Sequence, residues 1–287
     1  MRLATRGSAL ARAQTSIAET ALRRVGADDI EMVVVRTVAD RNPSTPVEEL
    51  PGQGWFSAEL ERALLDRRAD IAVHSAKDLA SELAPGLTIA ASLQRDDPRD
   101  AAITRSGEPL SELPARSTVA TSSTRRVAFL RAMYPALQPV AIRGNVDTRL
   151  RKLDEGEADA LLLACAGLDR LGLGERITER LDAHLFVPAP AQGAIALETR
   201  TQSEAAALAR RTDDEATGAA VRAERAVLAA LGGGCLLPLG AWARMSEGRF
   251  TLTAALAGDD GVVGHCELEG DAADPESLGR RVAAALR

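Results

Sequence analysis

The sequence predicts an α/β protein, in which two similar α/β domains face a cleft and a smaller C-terminal α+β domain follows. Three observations carry this prediction. Strand and helix patterns alternate from residue 2 to residue 73, the same order returns between residues 118 and 163, and the pattern changes after residue 213. A chain of 287 residues has room for two or three domains.

The first domain is predicted to alternate strands and helices, in the order strand 2–5, helix 9–24, strand 30–38, helix 56–67 and strand 70–73. A loop rich in proline and glycine, residues 40–54, separates the second strand from the second helix. This β-α-β-α-β order is typical of a parallel sheet with helices on its faces.

The second domain is predicted to repeat that order, with strand 118–120, helix 124–133, strand 139–142, helix 146–153 and strand 159–163. The third strands of the two domains align without a gap, residues 68–73 against 157–162. Ligands of open α/β sheets bind beyond the carboxyl ends of the strands, so we expect the two domains to face each other across a cleft.

The third domain is predicted from an alanine-rich helix that runs to residue 231, three strands between 236 and 268, and a helix from 275. The proline-rich segment 188–193 is interpreted as a crossover between domains, because prolines stiffen linkers and a strand pattern resumes at 194–198. The predicted domains are 1–94 with 194–212, 99–190, and 213–287.

Composition excludes several classes of protein. Three cysteines and three histidines are too few and too scattered for a disulfide framework or a metal cluster. Aromatic residues make up 2% and the net charge is −6, which disfavours nucleic-acid binding. No apolar run is long enough for a membrane span, and the N-terminus lacks the pattern of a signal peptide. We therefore expect a cytoplasmic protein that binds no metal, membrane or nucleic acid.

The charge is unevenly distributed along the chain. Residues 116–151 hold seven arginines and one acid, a local net charge of +6 in an acidic protein. Lysine occurs at positions 77 and 152 alone, so nearly all cations are guanidinium groups, which match carboxylate or phosphate in a two-pronged geometry. Solvated helix faces are the alternative for any single arginine, but the cluster favours an anion site.

Two predicted turns between a strand and a helix carry hydroxyl groups beside arginines. The first holds Arg6 and Ser8, and the second runs from Thr121 through Ser123 to Arg125 and Arg126. A helix N-terminus attracts anions because its dipole and its unpaired N–H groups favour negative charge. N-capping by serine is the simpler alternative for one such turn, but two corresponding turns favour a carboxylate site.

The third strand of the first domain is followed by Lys77 and Asp78. A surface ion pair between them is one interpretation. In a cleft lined by arginine, however, one carboxylate is the natural partner of a cation or of a pyrrole-type N–H. Asp97 and Asp100, further along, are interpreted as caps of a hinge.

Cys235 differs from the other two cysteines because three glycines precede it. A thiol displayed on a glycine loop suggests covalent chemistry. Cys165 lies in an apolar run and is expected in the core, and Cys266 is expected in a strand.

At this point the chain resembles the porphobilinogen deaminase family, also called hydroxymethylbilane synthases. The resemblance runs in family order over nearly the whole chain. It rests on HSAKDL at 74–79, DPRDA at 97–101, TSS at 121–123 followed by two arginines, RGNV at 143–146, AGL at 166–168, QGA at 192–194 and GGC at 233–235.

The resemblance implies two domains similar to periplasmic binding proteins and a third that presents the cysteine. It implies a dipyrromethane cofactor held by Cys235 through a thioether. Four porphobilinogens would be added to it head to tail with loss of ammonia, and a linear hydroxymethylbilane released. Each pyrrole carries an acetate and a propionate, which accounts for the arginine surplus.

The resemblance also implies roles for individual residues. Asp78 would be catalytic, stabilising pyrrole N–H groups and the cation formed when ammonia leaves. The cofactor would be held by Lys77, Thr121, Ser123, Arg125, Arg126 and Arg149. Substrate or the growing chain would meet Arg6, Ser8, Gln14, Arg143, Arg170 and Gln192. The chain departs from the family at Gln53, where many members have a lysine, so one cationic contact is weakened.

A monomer is expected. The competing hypothesis is a non-catalytic two-domain protein that binds a small anion, but it leaves Cys235 and the third domain unexplained.

Overall fold

The computed structural model describes residues 1–38, 57–234, 236–258 and 260–287. Within those ranges thirteen strands form two five-stranded sheets and one three-stranded sheet. None of the helices in the same ranges is long and apolar enough to cross a bilayer. The predicted loop 40–54, with Gln53 and the start of the predicted helix at residue 56, lies outside the described residues.

The first sheet has the strand order β2-β1-β3-β10-β4. The strands are β1 (Arg2–Thr5), β2 (Glu31–Val34), β3 (Ile71–Ser75), β4 (Leu87–Ser92) and β10 (Ile195–Arg200). β1 pairs in parallel with β2 and β3, as predicted, whereas β10 runs antiparallel to both β3 and β4. The sheet is therefore mixed rather than parallel, because β10 enters it from the opposite direction after the chain has left for the second sheet.

The second sheet repeats this arrangement in the order β7-β6-β8-β5-β9. The strands are β5 (Asp100–Thr104), β6 (Thr118–Ala120), β7 (Gln138–Val140), β8 (Ala160–Ala164) and β9 (Glu179–Arg180). β6 is parallel to β7 and β8, while β5 is antiparallel to β8 and β9. In each sheet one antiparallel strand, β10 or β5, separates three parallel strands from an outer strand of the same direction, and this shared pattern confirms the predicted similarity of the two α/β units.

Helices cover the faces of both sheets. They are α1 (Ala9–Arg24), α2 (Ala58–Leu65), α3 (Thr124–Met133), α4 (Val146–Asp154), α5 (Cys165–Arg170) and α6 (Glu204–Arg210), with short 3-10 turns at Ala76–Asp78, Leu110–Glu112 and Gly174–Arg176. The predicted helix 124–133 is confirmed at both ends. The predicted helix 56–67 ends earlier, at Leu65, and Arg67 has a positive φ that no α-helix continues through.

The C-terminal unit contains α7 (Glu215–Ala230), a meander of β11 (Leu239–Ser246), β12 (Arg249–Ala257) and β13 (Val263–Gly270), and α8 (Pro275–Ala285). The predicted α+β module is confirmed. A side chain at Gly279 would collide with the Ala223 carbonyl, so this glycine lets α7 and α8 cross closely over the sheet.

The chain crosses between the two large sheets twice, after β4 and before β10. The two crossing segments run side by side, since the Leu93 amide donates to the Ile195 carbonyl and the Asp96 amide to the Gly193 carbonyl. Gly193 has a positive φ, and a Cβ there would lie 2.6 Å from the Asp96 carbonyl oxygen. The predicted crossover at 188–193 is one of these segments, while the exact domain boundaries stay a prediction.

Candidate active site

A cleft of about 1080 Å³ lies where the two large sheets and the C-terminal unit meet. The carboxyl ends of strands from both sheets border it, as is usual for ligand sites of open α/β sheets. Twelve of the fourteen predicted site residues line it: Arg6, Ser8, Gln14, Lys77, Asp78, Ser123, Arg125, Arg126, Arg143, Arg149, Arg170 and Gln192. The sequence motifs thus converge on one cavity.

The two remaining predicted residues are Thr121 and Cys235. Thr121 is buried behind the wall, where its hydroxyl accepts a hydrogen bond from the Ser123 amide and shapes the turn. Cys235 lies outside the described residues, but its neighbours Gly234 and Leu236 line the cleft. The attachment of a cofactor at Cys235 stays a prediction.

Both predicted helix-start turns border the cleft, and their serines cap the helices that follow. Ser8 Oγ accepts from the Ala11 amide at 3.2 Å, and Ser123 Oγ accepts from the Arg126 amide at 3.4 Å. The capping alternative is thus correct for both side chains. It is compatible with an anion site, because a cap satisfies one N–H and leaves others of the first turn available.

Lys77 and Asp78 follow β3 in a 3-10 turn on the cleft wall. Lys77 Nζ donates to Gln192 Oε1 at 3.1 Å, so its ammonium faces the crossover segment and not bulk solvent. Burial, and then the charge of Arg126, lowers the pKa of Lys77 to about 8, with the Asp78 charge acting in the opposite direction. A surface ion pair therefore does not describe this lysine.

Asp100 forms the centre of a buried ion cluster. It is fully buried, with Arg125 Nη1 at 2.8 Å from Oδ2 and Arg126 Nη2 at 2.6 Å from Oδ1. Burial alone would raise the pKa of Asp100, but the charges of Arg125 and Arg126 outweigh it and hold the pKa far below its usual range. The interpretation of Asp100 as a hinge cap is wrong, because it is the counterion of two arginines.

Arg125 and Arg126, the predicted cofactor ligands, therefore make more contacts within the protein than the sequence led us to expect. Arg126 also donates to the Leu162 carbonyl, and Arg125 to the Val187 carbonyl. Arg125 Nε is buried and has no hydrogen-bond partner among the described residues. One carboxylate shared by two guanidiniums leaves the pair with an excess of positive charge.

Arg126, Arg143 and Arg149 of the second unit lie close enough together for their charges to interact. Burial, and then the charges of Arg126 and Arg143, lowers the pKa of Arg149 to about 10. Arg149 Nε donates to the Gly144 carbonyl at 2.7 Å, which fixes its guanidinium at the start of α4. Like charges held together at such a site favour the binding of anions.

Arg170 and Gln14 are predicted substrate ligands that also make internal contacts. Arg170 donates to Asp96 Oδ2 at 2.8 Å and to the Gly193 carbonyl at 2.6 Å, tying α5 to both crossing segments. Gln14 Nε2 donates to Ser75 Oγ at 2.7 Å. Their role toward a substrate stays a prediction.

Asp97 makes the capping contact that was predicted for it, while its place in a hinge stays a prediction. Its carboxylate accepts from the Arg99 amide at 3.0 Å and pairs with the side chains of Arg99 and Arg180, both at 2.8 Å. Hydrogen bonds from Arg99 outweigh the effect of burial and lower the pKa of Asp97.

Sequence reasoning missed a second buried carboxylate, Glu224 of α7. It is fully buried, and its oxygens accept from Arg95 Nη1 at 2.6 Å, from the Ala191 amide at 2.5 Å and from the Ala243 amide at 2.7 Å. These contacts join the C-terminal unit to both crossing segments. The only signal in the sequence is a glutamate among the alanines of a buried helix.

The two cysteines that the structure describes behave as predicted. Cys165 is fully buried, and burial followed by the nearby Asp97 raises its pKa to about 12. Cys266 lies in β13, and burial raises its pKa as well. Raised pKa values make both thiols poor nucleophiles. Among the described residues, no three His, Cys, Asp or Glu side chains cluster as metal ligands would.

Comparison with known proteins identifies the family that the chain resembles. Residues 1–208 match the family model "Porphobilinogen deaminase, dipyromethane cofactor binding domain", and residues 219–287 match "Porphobilinogen deaminase, C-terminal domain". The porphobilinogen deaminase of Thiobacillus denitrificans is 45% identical over 284 residues, covering 98% of this chain and 93% of the relative. That of Desulforudis audaxviator is 45% identical over 285 residues, covering 98% and 92%.

Solved structures with a similar chain path include the VFT2 domain of Bordetella pertussis BvgS. It is 19% identical, has a TM-score of 0.43, and the match covers 74% of this chain and 85% of that one. Immunogenic lipoprotein A from Vibrio vulnificus is 10% identical with a TM-score of 0.44, over 75% and 95% of the chains. At such identities these structures bear on neither substrate nor chemistry.

Proposed function

Because the chain belongs to the porphobilinogen deaminase family, we propose that the cleft is its active site and that Asp78 is its catalytic residue. The protein is a transferase of tetrapyrrole synthesis with a dipyrromethane cofactor. It condenses porphobilinogen molecules with loss of ammonia to form hydroxymethylbilane. The alternative of a non-catalytic anion-binding protein is not favoured, because relatives 45% identical over nearly the whole chain are deaminases.

The cleft residues fit a ligand that carries several carboxylates. The observation that carries the proposal is the concentration of cations on the cleft wall beside Asp78, where burial, and then the charges of neighbouring arginines, lowers the pKa of Lys77 and of Arg149. The buried, unpartnered Arg125 Nε adds a donor without an acceptor in the described chain. Lys77, Ser123, Arg125, Arg126 and Arg149 would hold the dipyrromethane, with Thr121 supporting their turn. When bound, that group supplies the pyrrole carbon to which substrate is added.

The catalytic role of Asp78 follows from charge. Loss of ammonia leaves a positive charge on the substrate, and this charge develops among fixed cations. Asp78 lies on the cleft wall, close enough to Lys77 and Arg149 for its charge to oppose, in part, the lowering of the pKa of both groups by burial and by the neighbouring arginines. A preorganised carboxylate at this point would stabilise the developing cation.

Incoming substrate would be held by the cations and polar groups of the remaining wall. These are Arg6, Ser8, Gln14, Arg143 and Arg170. Because charge-assisted pairing with guanidinium is two-pronged, an acetate and a propionate on one ring could each engage an arginine.

The covalent attachment to Cys235, the cytoplasmic location, the monomeric state and the lack of a metal belong to the same proposal. Support for Cys235 is indirect, since its neighbours line the cleft while Cys165 and Cys266 are held as thiols with raised pKa values. Free cysteines are also usual in a reducing compartment.

The experiment that tests this proposal is intact-mass spectrometry combined with a porphobilinogen consumption assay. The purified protein should exceed its sequence mass by two pyrrole units and should consume porphobilinogen. Cys235→Ser should lose both the mass increment and activity, whereas the matched controls Cys165→Ser and Cys266→Ser should keep them. A mass increment that survives in Cys235→Ser would overturn the attachment site, and an inactive, unmodified wild-type protein would overturn the function.

A further inference from the structure

Gln192 connects the two sides of the cleft. Its side chain is buried, and its amide oxygen accepts from Lys77 Nζ, which follows β3 of the first sheet, at 3.1 Å. Its amide nitrogen donates to Asp100 Oδ1 at 3.1 Å, at the start of β5 of the second sheet. The same nitrogen donates to the Pro98 carbonyl at 2.8 Å. One buried amide therefore spans residues of both sheets.

The chemistry of the neighbours fixes the orientation of this amide. On the nitrogen side lie only acceptors, namely a carboxylate and the carbonyls of Pro98 and Arg99. On the oxygen side lies an ammonium group, which can only donate. If the amide were flipped, its N–H groups would face the Lys77 ammonium and its oxygen would face the carboxylate and carbonyl oxygens. The observed orientation alone therefore satisfies all partners.

The backbone of Gln192 is held as well. Its carbonyl accepts from Arg95 Nε at 2.8 Å, and Arg95 is itself paired with the buried Glu224. The side chain thus projects from a segment that is anchored independently of the two groups it joins. Such an anchored amide can set the position of its partners and is not merely positioned by them.

The partners of Gln192 need such a support. The Lys77 ammonium is surrounded by Arg126, Asp78, Asp100 and Arg125, of which the two arginines repel it. Asp100 in turn holds Arg125 and Arg126. Without a fixed acceptor for Lys77, repulsion from these guanidiniums would move the ammonium away from them.

We propose that Gln192 is a positioning residue and not a substrate ligand: it fixes the Lys77 ammonium relative to the ion cluster of Asp100, Arg125 and Arg126, so that the three cations form one rigid array. The inference rests on the proposed function in taking this array as the site of cofactor carboxylates. It replaces the role predicted for Gln192 from the sequence. Glutamine suits this position because its amide can donate to Asp100 and accept from Lys77 at once. Glutamate would repel Asp100, and an apolar residue would leave Lys77 without an acceptor.

The experiment uses the low lysine content of the chain. Holoenzyme labelled with 13Cε-lysine gives two side-chain signals, Lys77 and Lys152, and each is followed over a pH titration by NMR. Lys152 pairs with Glu157 at 3.5 Å and is the internal control. Three variants are compared with wild type: Gln192→Met, Gln192→Glu, and the matched control Gln138→Met, at an exposed glutamine at the start of β7.

The two Gln192 variants are expected to change the pKa of Lys77 in opposite directions. Gln192→Met removes the acceptor of the ammonium, so the pKa of Lys77 should fall by about one unit. Gln192→Glu places a carboxylate against the ammonium, so the pKa of Lys77 should rise. Lys152 should not move in any variant, and Gln138→Met should titrate as wild type. The alkaline limb of the activity profile should move in the same direction as the Lys77 titration.

The outcomes separate the possible failures. If both Gln192 variants lose activity while the Lys77 titration stays at its wild-type position, the positioning role is wrong. If Gln192→Met does not fold, Gln192→Asn retains a buried amide that is one methylene too short to span both partners, and it should shift Lys77 in the same direction as methionine. A wild-type protein that does not consume porphobilinogen would overturn the proposed function, yet its titration would still decide this inference.

Discussion

Replacing Asp100 by asparagine tests the buried ion cluster. Asn keeps the size of the side chain but leaves Arg125 and Arg126 facing each other without a counterion. Both guanidiniums are nearly fully buried, so water cannot substitute for the lost charge. Breaking a buried pair by removing one partner costs about 3–5 kcal/mol, which corresponds to a thermal midpoint lower by roughly 10 °C for a protein of this size.

The stability lost in Asp100→Asn should depend on pH in a defined direction. The pKa of Asp100 is depressed in the folded protein, so its contribution to the free energy of unfolding is complete above the unfolded carboxyl pKa of about 4 and is lost as the pH falls below it. The midpoints of wild type and Asp100→Asn should therefore differ most near neutral pH and converge under acidic conditions.

Differential scanning calorimetry measures both effects. The matched control is Asp154→Asn, which removes an ion pair with Arg176 at 2.6 Å whose aspartate is 55% exposed. Such a surface pair contributes about 1 kcal/mol or less. The reasoning would be refuted by a neutral-pH midpoint for Asp100→Asn as close to wild type as that of Asp154→Asn.

Three further predictions concern the other parts of the site. Arg6→Leu should be isolated with the cofactor attached but stalled with substrate, and recovery as apoprotein alone, seen by intact mass, would contradict its substrate role. Asp78→Asn should fold and lose on the order of a hundredfold in kcat, with partial activity in Asp78→Glu; single-turnover ammonia release at the wild-type rate would exclude Asp78 from the mechanism. Glu224→Gln should lower the thermal midpoint, because Arg95 loses its buried counterion, whereas Glu276→Gln, at a pair with Arg222 whose glutamate is 44% exposed, should not; equal midpoints would contradict a stabilising role for the buried Glu224–Arg95 pair.

Local signals in the sequence were sufficient for much of the fold. The helix 124–133 follows a capping serine, and its bounds are correct because capping and apolar spacing are properties of neighbouring residues. β4 and β5 were not predicted, and the sheets are mixed where parallel ones were expected. Among the described strands β4 pairs only with β10, more than a hundred residues later, and no pattern within β4 specifies that partner.

In the candidate site, too, the sequence predicted local features but not long-range contacts. Motifs placed most of the predicted residues on one cleft, and several of them, such as Lys77, Asp78 and Ser123, follow a strand end or precede a helix. They did not reveal which of these residues contact one another. Lys77 and Gln192 are 115 residues apart, and Asp100 is 25 residues from Arg125. The counterion role of Asp100 depends on long-range packing, which spacing along the chain does not encode.

The place of β10 in the first sheet also has a consequence for synthesis on the ribosome. β10 lies between β3 and β4 and is made after the whole second sheet. Until residue 195 has left the exit tunnel, β3 has one open edge, and β4 has no neighbour among the strands that the structure describes. The N-terminal unit therefore cannot be completed first, although domains made first commonly fold first. The second sheet, continuous from residue 100 to residue 180, has all its strands before the first sheet does.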